Sequence, residues 1–347
     1  MGVFDRHSVL ALNATGWACA LGLGFILQGC GLVFDAIQYI QPVATNELDA
    51  ICARKRLQVG MGFEPRRPFV FPAIFTDEGL RVTGLDVELV REISAALTAR
   101  CGGEPVVPVL HLVPYRALFV LLHEGKLDLF VSATTANVPS PTRAGLAYSV
   151  PYFTNGGLGM ITRRNGVAER VREILQRDPH AVYEPAKIRT ALVGLTVAVQ
   201  EGTTAHLYAE ANLAGVRLVL CDSLPAAFES QDPPIDVIVG KQPILRFTVS
   251  RVRKDWRVLE AEDGKPIILT REDYAVVMAE ESYRLRRFIN DLLFRLDAGG
   301  RLADMRRRWL EEPYAFPRRA AAEGLPFAAE NMPRHYDQGR CRRASGG

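Results

Sequence analysis

Apolar residues in this chain form one long run near the start and short periodic groups beyond it. Val9 to Leu27 is mostly Ala, Leu, Gly, Val, Phe and Trp, interrupted by Asn13 and Thr15. Further on, Arg56-Leu-Gln-Val-Gly60 reads as a short strand ending in Gly. Gly84 precedes Asp86, a residue suited to cap a helix, and Leu89, Val90, Ile93 and Leu97 then share one helical face. Leu118, Leu121 and Leu122 predict a second helix stopping at Gly125, and Leu127 to Val131 predicts a buried strand. Strands alternating with helices imply βαβ units and a largely parallel sheet.

The pattern changes over 164–192, a polar, Arg- and Glu-rich stretch with Val171, Ile174 and Leu175, which reads as a surface helix and loop. A second α/β series follows: a strand at Thr196–Val199, a helix near 203–213, a strand at Val216–Leu220, a helix near 224–230 and a strand at Ile235–Val239. Tyr274–Met278 is another strand. Leu285, Phe288, Ile289, Leu292, Leu293 and Leu296 then make a wide apolar helical stripe, ended by Gly299-Gly300. Leu302, Met305 and Trp309 mark a final short helix. No repeat of 20–50 residues is visible. Residues 313–347 have little periodicity and read as a disordered or surface-draped tail.

The first thirty residues look like an export signal. A short start with Arg6 and His7, the apolar run and Leu27-Gln28-Gly29-Cys30 fit the secretory pattern. A Cys directly after a small residue resembles a bacterial lipobox, with cleavage before Cys30 and acylation of its thiol. An uncleaved anchor helix, because 19 residues nearly span a bilayer, and an ordinary signal peptide are the other readings. All three put the remainder outside the cytoplasm. The expected organisation is a signal peptide over 1–29, a tether over 30–50, a first lobe over 51–157 plus 277–312, a second lobe over 158–276, and the tail.

Composition narrows the function classes by exclusion. Hydrophobic residues are 48% and charged residues 23% of the 347, ordinary for a globular chain. The net charge of +3 is too small for a nucleic-acid surface unless it is concentrated. It is concentrated, but on the tail: six arginines against Glu323, Glu330 and Asp337 account for all of it. Asp5 and Arg6 cancel in the leader, so the body between is neutral and cannot steer an anion from afar. No GxSxG, HExxH or Walker motif occurs, and the six histidines lack metal-ligand spacing. No cofactor or metal is expected. Cys52, Cys101, Cys221 and Cys341 remain beyond Cys30. Cys52 and Cys101 flank the first strand and helix and are candidates for a disulfide, with free buried thiols as the alternative.

Candidate chemistry sits at strand ends, where open α/β sheets bind ligands. Ser132-Ala-Thr-Thr135 follows one strand, with Arg143 beyond it. Gln200-Glu-Gly-Thr203-Thr204 follows another and opens a helix. Hydroxyls at a helix N-terminus suit an anion, and an arginine can clamp a carboxylate with two hydrogen bonds. A threonine there can equally be a simple cap.

These residues, with Leu57–Gly60, Pro68-Phe69, Gly84–Leu89, Gly125–Asp128, Ser149–Tyr152, Ile289-Asn290, Gly300 and Trp309-Leu310, occur in the order of a known family. The chain resembles the family 3 extracellular solute-binding proteins, the polar-amino-acid receptors of ABC importers, over roughly residues 54–311. The resemblance implies a two-lobe periplasmic-binding-protein (type II) α/β fold. Its hinge strands would cross near Gly157–Arg163 and Tyr274–Met278. It implies that Arg143 holds a ligand carboxylate, that Ser132, Thr135, Thr203 and Thr204 line the site, and that Phe69 packs on the ligand. Tyr115 would stand where the family often has Trp, and Glu64 would read the ligand's side chain.

Three departures follow from the same resemblance. The loop between Thr135 and Arg143 is longer than usual, as is the 164–192 segment. Lys241 stands where the family has an Asp that pairs with the ligand's ammonium. A lysine there repels an ammonium. Glu64 or Glu201 then supplies the acid, or the ligand is not an α-amino acid, or Lys241 turns to solvent. The expected function is capture of a small anionic or zwitterionic solute and delivery to an ABC transporter permease. The protein would be held at the membrane by a lipid anchor and would bind no nucleic acid. A periplasmic dehydratase of the same fold and a partner-binding scaffold are the alternatives.

Overall fold

The computed structural model describes residues 47–344 apart from 65, 78, 137, 139–142, 176–181 and 328–338. The expected signal peptide, Cys30 and most of the expected tether lie outside the described residues. No helix among the described residues is long and apolar enough to cross a membrane.

The first lobe is built on a five-stranded sheet in the order β4-β1-β5-β12-β6. Its strands are β1 (Arg56–Gly62), β4 (Val107–Val113), β5 (Leu129–Thr135), β6 (Leu146–Tyr148) and β12 (Tyr274–Ala279). β1 runs parallel to β4 and β5, while β12 runs antiparallel to β5 and β6. Helix α1 (Glu47–Arg54) leads into β1, and α2 (Leu85–Arg100) and α3 (Tyr115–His123) form its crossovers. A disulfide joins Cys52 to Cys101, the candidate pair of the sequence, in place of free buried thiols.

The second sheet has six strands in the order β11-β7-β10-β8-β9-β14. Here β7 is Leu158–Thr162, β8 Thr196–Gln200, β9 Arg217–Cys221, β10 Val237–Lys241, β11 Arg257–Val258 and β14 Cys341–Arg343. β8 is parallel to both β9 and β10, and the outer pairings are antiparallel. Helices α6 (Thr204–Asn212), α7 (Leu224–Glu229) and α8 (Gln242–Arg251) belong to this lobe. The 164–192 stretch is not a surface decoration. It holds α4 (Asn165–Ile174) and α5 (Pro185–Leu192), whose Val167, Val171, Ile188 and Leu192 join the lobe's core.

The chain crosses between sheets twice. The first crossing runs from β6 to β7, and Phe153 and Leu158 bridge to Tyr274 and Thr270 on the return. The return crossing is therefore Thr270–Asp273. Tyr274–Met278, expected as a hinge strand, instead belongs to the first sheet, because β12 completes its ladder with β5 and β6. The first lobe thus takes up residues 274–276, which the sequence assigned to the second. After β12, α9 (Tyr283–Ala298) and α10 (Arg301–Leu310) return to the first lobe and pack on α2. Buried Trp309 donates its indole N–H to Glu88 at 2.8 Å, and Arg301 binds Glu88 and Glu92.

The tail is not disordered where it is described. β13 (Leu325–Pro326) adds to a small sheet with β3 (Gly79–Val82) and β2 (Ile74–Thr76), and β14 adds to β9. A second disulfide, Cys221–Cys341, holds that end. Cysteines 120 residues apart give no local signal of pairing. Arg342 reaches Glu201 at 2.6 Å, so part of the tail's positive charge is spent inside the molecule.

Candidate functional site

The ends of β1, β5, β8 and β10 and the return crossing bring a polar cluster together between the two sheets. At its centre is Glu272, on the crossing and 5% exposed. Lys241, the last residue of β10, places its ammonium 2.9 Å from Glu272 Oε2. It also donates to Thr135 Oγ1 and lies 4.1 Å from the Tyr274 ring centroid. Thr204 and Thr135 donate to the same carboxylate oxygen at 3.1 and 2.5 Å, and Thr270 donates to the other at 3.2 Å. Groups from both sheets thus meet on one carboxylate. Burial alone would raise the Glu272 carboxyl, but the Lys241 charge and these hydrogen bonds outweigh it and hold the carboxyl below its ordinary range.

Lys241 does not turn to solvent; it is buried and paired. Its partner is neither Glu64 nor Glu201. Glu201 instead pairs with Arg116 at 3.1 Å and with Arg342 near the surface. Glu272 was missed because its neighbours in sequence carry no pattern. Only the crossing brings it opposite Lys241.

A second polar group lies at the end of β1. Glu64 Oε1 accepts from the Tyr115 N–H at 3.2 Å, and Ser132 Oγ accepts from the Gly62 N–H at 3.1 Å. Arg66 is buried, donates to Gln200 across the lobes at 3.2 Å, and lies 4.0 Å from the Tyr115 ring centroid. Its Nε and Glu64 Oε2 are buried with no hydrogen-bond partner among the described residues. Burial raises the Glu64 carboxyl, against the opposing pull of Arg66 and backbone N–H groups. These groups converge because residue 62 is glycine. A Cβ there would stand 2.9 Å from Ser132 Oγ, 3.2 Å from Glu64 Oε2 and 3.4 Å from Arg66 Nε. Gly62→Ala is expected to cost about 1–3 kcal/mol by overpacking, read as a lowered midpoint in urea. An unchanged midpoint would show that the cluster yields freely.

Arg66, Gln200, Thr203, Thr204 and Lys241 line a small cavity of about 20 Å³. The Thr203 hydroxyl is engaged locally: it caps α6, accepting from His206 N, and donates to Gln200 O at 2.7 Å. Arg143 reaches the interior despite its long preceding loop. It is buried, donates to the Thr135 carbonyl at 3.0 Å and stands 5.5 Å from the Phe119 ring centroid. It lies behind Thr135 and is not among the lining residues of the cavity. Phe69 is also set back, packed edge-on against Phe153 and Tyr274. Asp86 is not a helix cap. Gly84 takes that position, while Asp86 is fully buried and accepts from Ala133 N at 2.8 Å and from the Tyr152 hydroxyl at 2.7 Å.

Two α/β lobes joined by two crossings, with buried polar groups converging between them, define a bilobal solute receptor. The chain belongs to the bacterial extracellular solute-binding proteins, family 3, whose family model matches residues 61–312. Its fold is similar to that of a mutant of ArgBP from T. maritima, with 24% identity and a TM-score of 0.59, covering 76% of this chain and 99% of that one. An arginine-bound amino acid ABC transporter substrate-binding protein from Streptococcus pneumoniae shows 18% identity and a TM-score of 0.60, over 77% and 99%. The ancestral amino acid-binding protein AncCDT-1, a precursor of cyclohexadienyl dehydratase, shows 19% identity and a TM-score of 0.59, over 77% and 100%. Among proteins of curated function none matches the chain.

Proposed function

We propose that this protein captures a small anionic or zwitterionic solute between its lobes and delivers it to the permease of an ABC importer. The observation that carries this reading is the meeting of groups from both lobes on one buried site: Thr135 from the first lobe and Lys241 and Thr204 from the second on Glu272, with Arg66 reaching Gln200 beside them. Such contacts form only when the lobes close, so a solute that adds to them favours the closed form, and the crossings absorb the motion. Arg66 supplies the positive charge at the cavity, with Arg143 behind Thr135, and Ser132, Thr135, Thr203 and Thr204 supply the hydroxyls. Glu64 and Tyr115 form the wall at the end of β1. A lipid on Cys30 would hold the receptor beside its transporter.

Catalysis is the weaker reading. A dehydratase needs an acid able to give up a proton, and the Glu272 carboxyl is held below its ordinary range, against burial, by Lys241 and the Thr135 and Thr204 hydrogen bonds, which favours its ionised form. Binding is tested by a thermal-shift screen against amino acids, dicarboxylates and small oxoanions. A true ligand at a hundred times its Kd stabilises by about 2.7 kcal/mol. Arg66→Gln should remove that shift, and Arg143→Ala, which acts only through Thr135, should weaken it. A screen in which no solute class moves the melting temperature, or conversion of prephenate to phenylpyruvate, would overturn the proposal.

A further inference from the structure

Beside the polar cleft lies a larger chamber of about 420 Å³. Its walls come from both lobes: Phe63, Phe71 and Leu112 from the first, and Leu224, Phe228 and Ile244 from the second. Leu224 and Ile244 also line the small polar cavity that holds Arg66 and Lys241, so the two spaces share a wall. Arg67, Glu229 and Arg253 contribute the charged part of the lining, and Arg253 is itself paired with Glu229 and Asp255. A cavity of roughly 150 Å³ with a Leu, Ile and Phe lining takes up benzene. The chamber therefore has ample room for a ring, whereas the polar cavity of about 20 Å³ admits little more than one small polar group.

The charges sort the head group. The acceptors of the central cluster are already used by the protein's own ammonium: Lys241 holds Thr135 Oγ1, Glu272 Oε2 and the face of Tyr274. Burial would raise the Tyr115 phenol, but Arg143, Arg66 and Lys241 outweigh it and hold it below its ordinary range, which reports a positive local potential. Burial raises the Glu64 carboxyl above its ordinary range, against the pull of Arg66 and backbone N–H groups, and its Oε2 is buried with no hydrogen-bond partner among the described residues. Arg66 Nε is a buried donor with no hydrogen-bond partner among the described residues.

We infer that the solute is an organic anion with a ring-sized apolar body and no ammonium group, its carboxylate at Arg66 and its body in the chamber. This rests on the solute-binding reading above and narrows it to a ligand class. An α-amino acid would add a cation beside Lys241 and Arg66, where the Glu272 carboxylate is already engaged by Lys241, at the cost of crowding like charges in a buried site. A short anion would leave the chamber's apolar walls unburied. Joining the two parts gains about 25 cal/mol for each Å² of ring surface removed from water.

Calorimetric titration of the full-length protein separates these terms with three probes. 3-Phenylpropionate carries head and body, L-phenylalanine adds only the ammonium to the same skeleton, and propionate lacks the ring. The expected result is at least tenfold tighter binding of 3-phenylpropionate than of either other probe. Ala73→Phe and Val252→Trp both intrude on the chamber, and each should weaken 3-phenylpropionate at least tenfold while sparing propionate. Val252 is 42% exposed, so its variant is expected to fold even if the other does not. L-Phenylalanine binding as well as 3-phenylpropionate overturns the inference and leaves solute capture standing. So does propionate binding as tightly, or insensitivity of 3-phenylpropionate to both chamber variants. Failure of all three probes overturns the ligand class too, and the broader screen then decides the solute-binding reading separately.

Discussion

Replacing Glu272 by alanine is expected to cost about 3–5 kcal/mol of stability, because it leaves a buried charge without its partner. Lys241 is only 6% exposed. The Thr135, Thr204 and Thr270 hydroxyls lose their shared acceptor in the same step. Lys241→Met alone should cost a similar amount, now leaving the carboxylate unpaired. Combining Lys241→Met with Glu272→Ala should cost clearly less than the sum of the two, since no charge then remains buried, although the three hydroxyls still lack their acceptor. Urea unfolding of the four proteins measures the coupling directly. Losses that simply add in the double variant would mean that the two side chains do not depend on one another. The same pair ties the crossing to β10 and β5, so each single variant should also loosen the closed arrangement of the lobes. Protease resistance of the crossing offers a second readout.

Wild-type stability is expected to fall by about 3 kcal/mol between pH 4 and pH 7 through Asp86, a fall that Asp86→Asn removes. Burial raises this carboxyl to about 6, against the hydrogen bonds from Tyr152 and Ala133 and the charges of Arg66 and Lys241. In the unfolded chain it titrates near ~3.9. Between those values the folded protein holds a proton that the unfolded chain has lost. Stability therefore falls as pH rises through the window, by about 1.4 kcal/mol per pH unit of difference, and is level above it. Glu272 titrates with the opposite sign, since its lowered pKa adds stability that is lost on acidification, and Glu64 acts in the same sense as Asp86. The difference between wild type and Asp86→Asn isolates the one group. Asparagine keeps both contacts, its oxygen accepting from Ala133 and its amide donating to the Tyr152 oxygen. Thermal unfolding at intervals from pH 4 to 7 provides the comparison. An identical slope in both proteins would show that Asp86 stays ionised throughout.

Much of the secondary structure was legible because burial imposes a period on the sequence. The stripe from Leu285 to Leu296 became α9, and the alternation of strands with helices became two sheets. The 164–192 stretch misled because its apolar residues are sparse among arginines and glutamates. Val167, Val171, Ile188 and Leu192 are nonetheless enough to anchor two helices in the core. The short strands of the tail were invisible for a different reason: a two- or three-residue strand has no period of its own, and its existence depends on the edge it joins. At the site, hydroxyls at strand ends were readable from local position. Arg66 and Glu272 were not, since each is one polar residue among many in a loop, and Gln200 was read only as the start of a strand-end turn, not as a partner of Arg66.

By itself the sequence determined the family, the α/β class and the order of most elements, because these follow from local periodicity and motifs in series, and it offered Cys52–Cys101 as one candidate pair. It also raised the problem of Lys241, an ammonium where a carboxylate was expected. Only the tertiary structure decided what meets that ammonium. The Lys241–Glu272 pair spans 31 residues and Arg66–Gln200 spans 134. A contact between residues so far apart depends on two sheets and a crossing taking their places together, and no local pattern encodes it. Charge followed the same rule: a neutral body conceals a cleft where Arg66, Arg143 and Lys241 gather, because net charge sums over the chain while recognition depends on where the charges are buried.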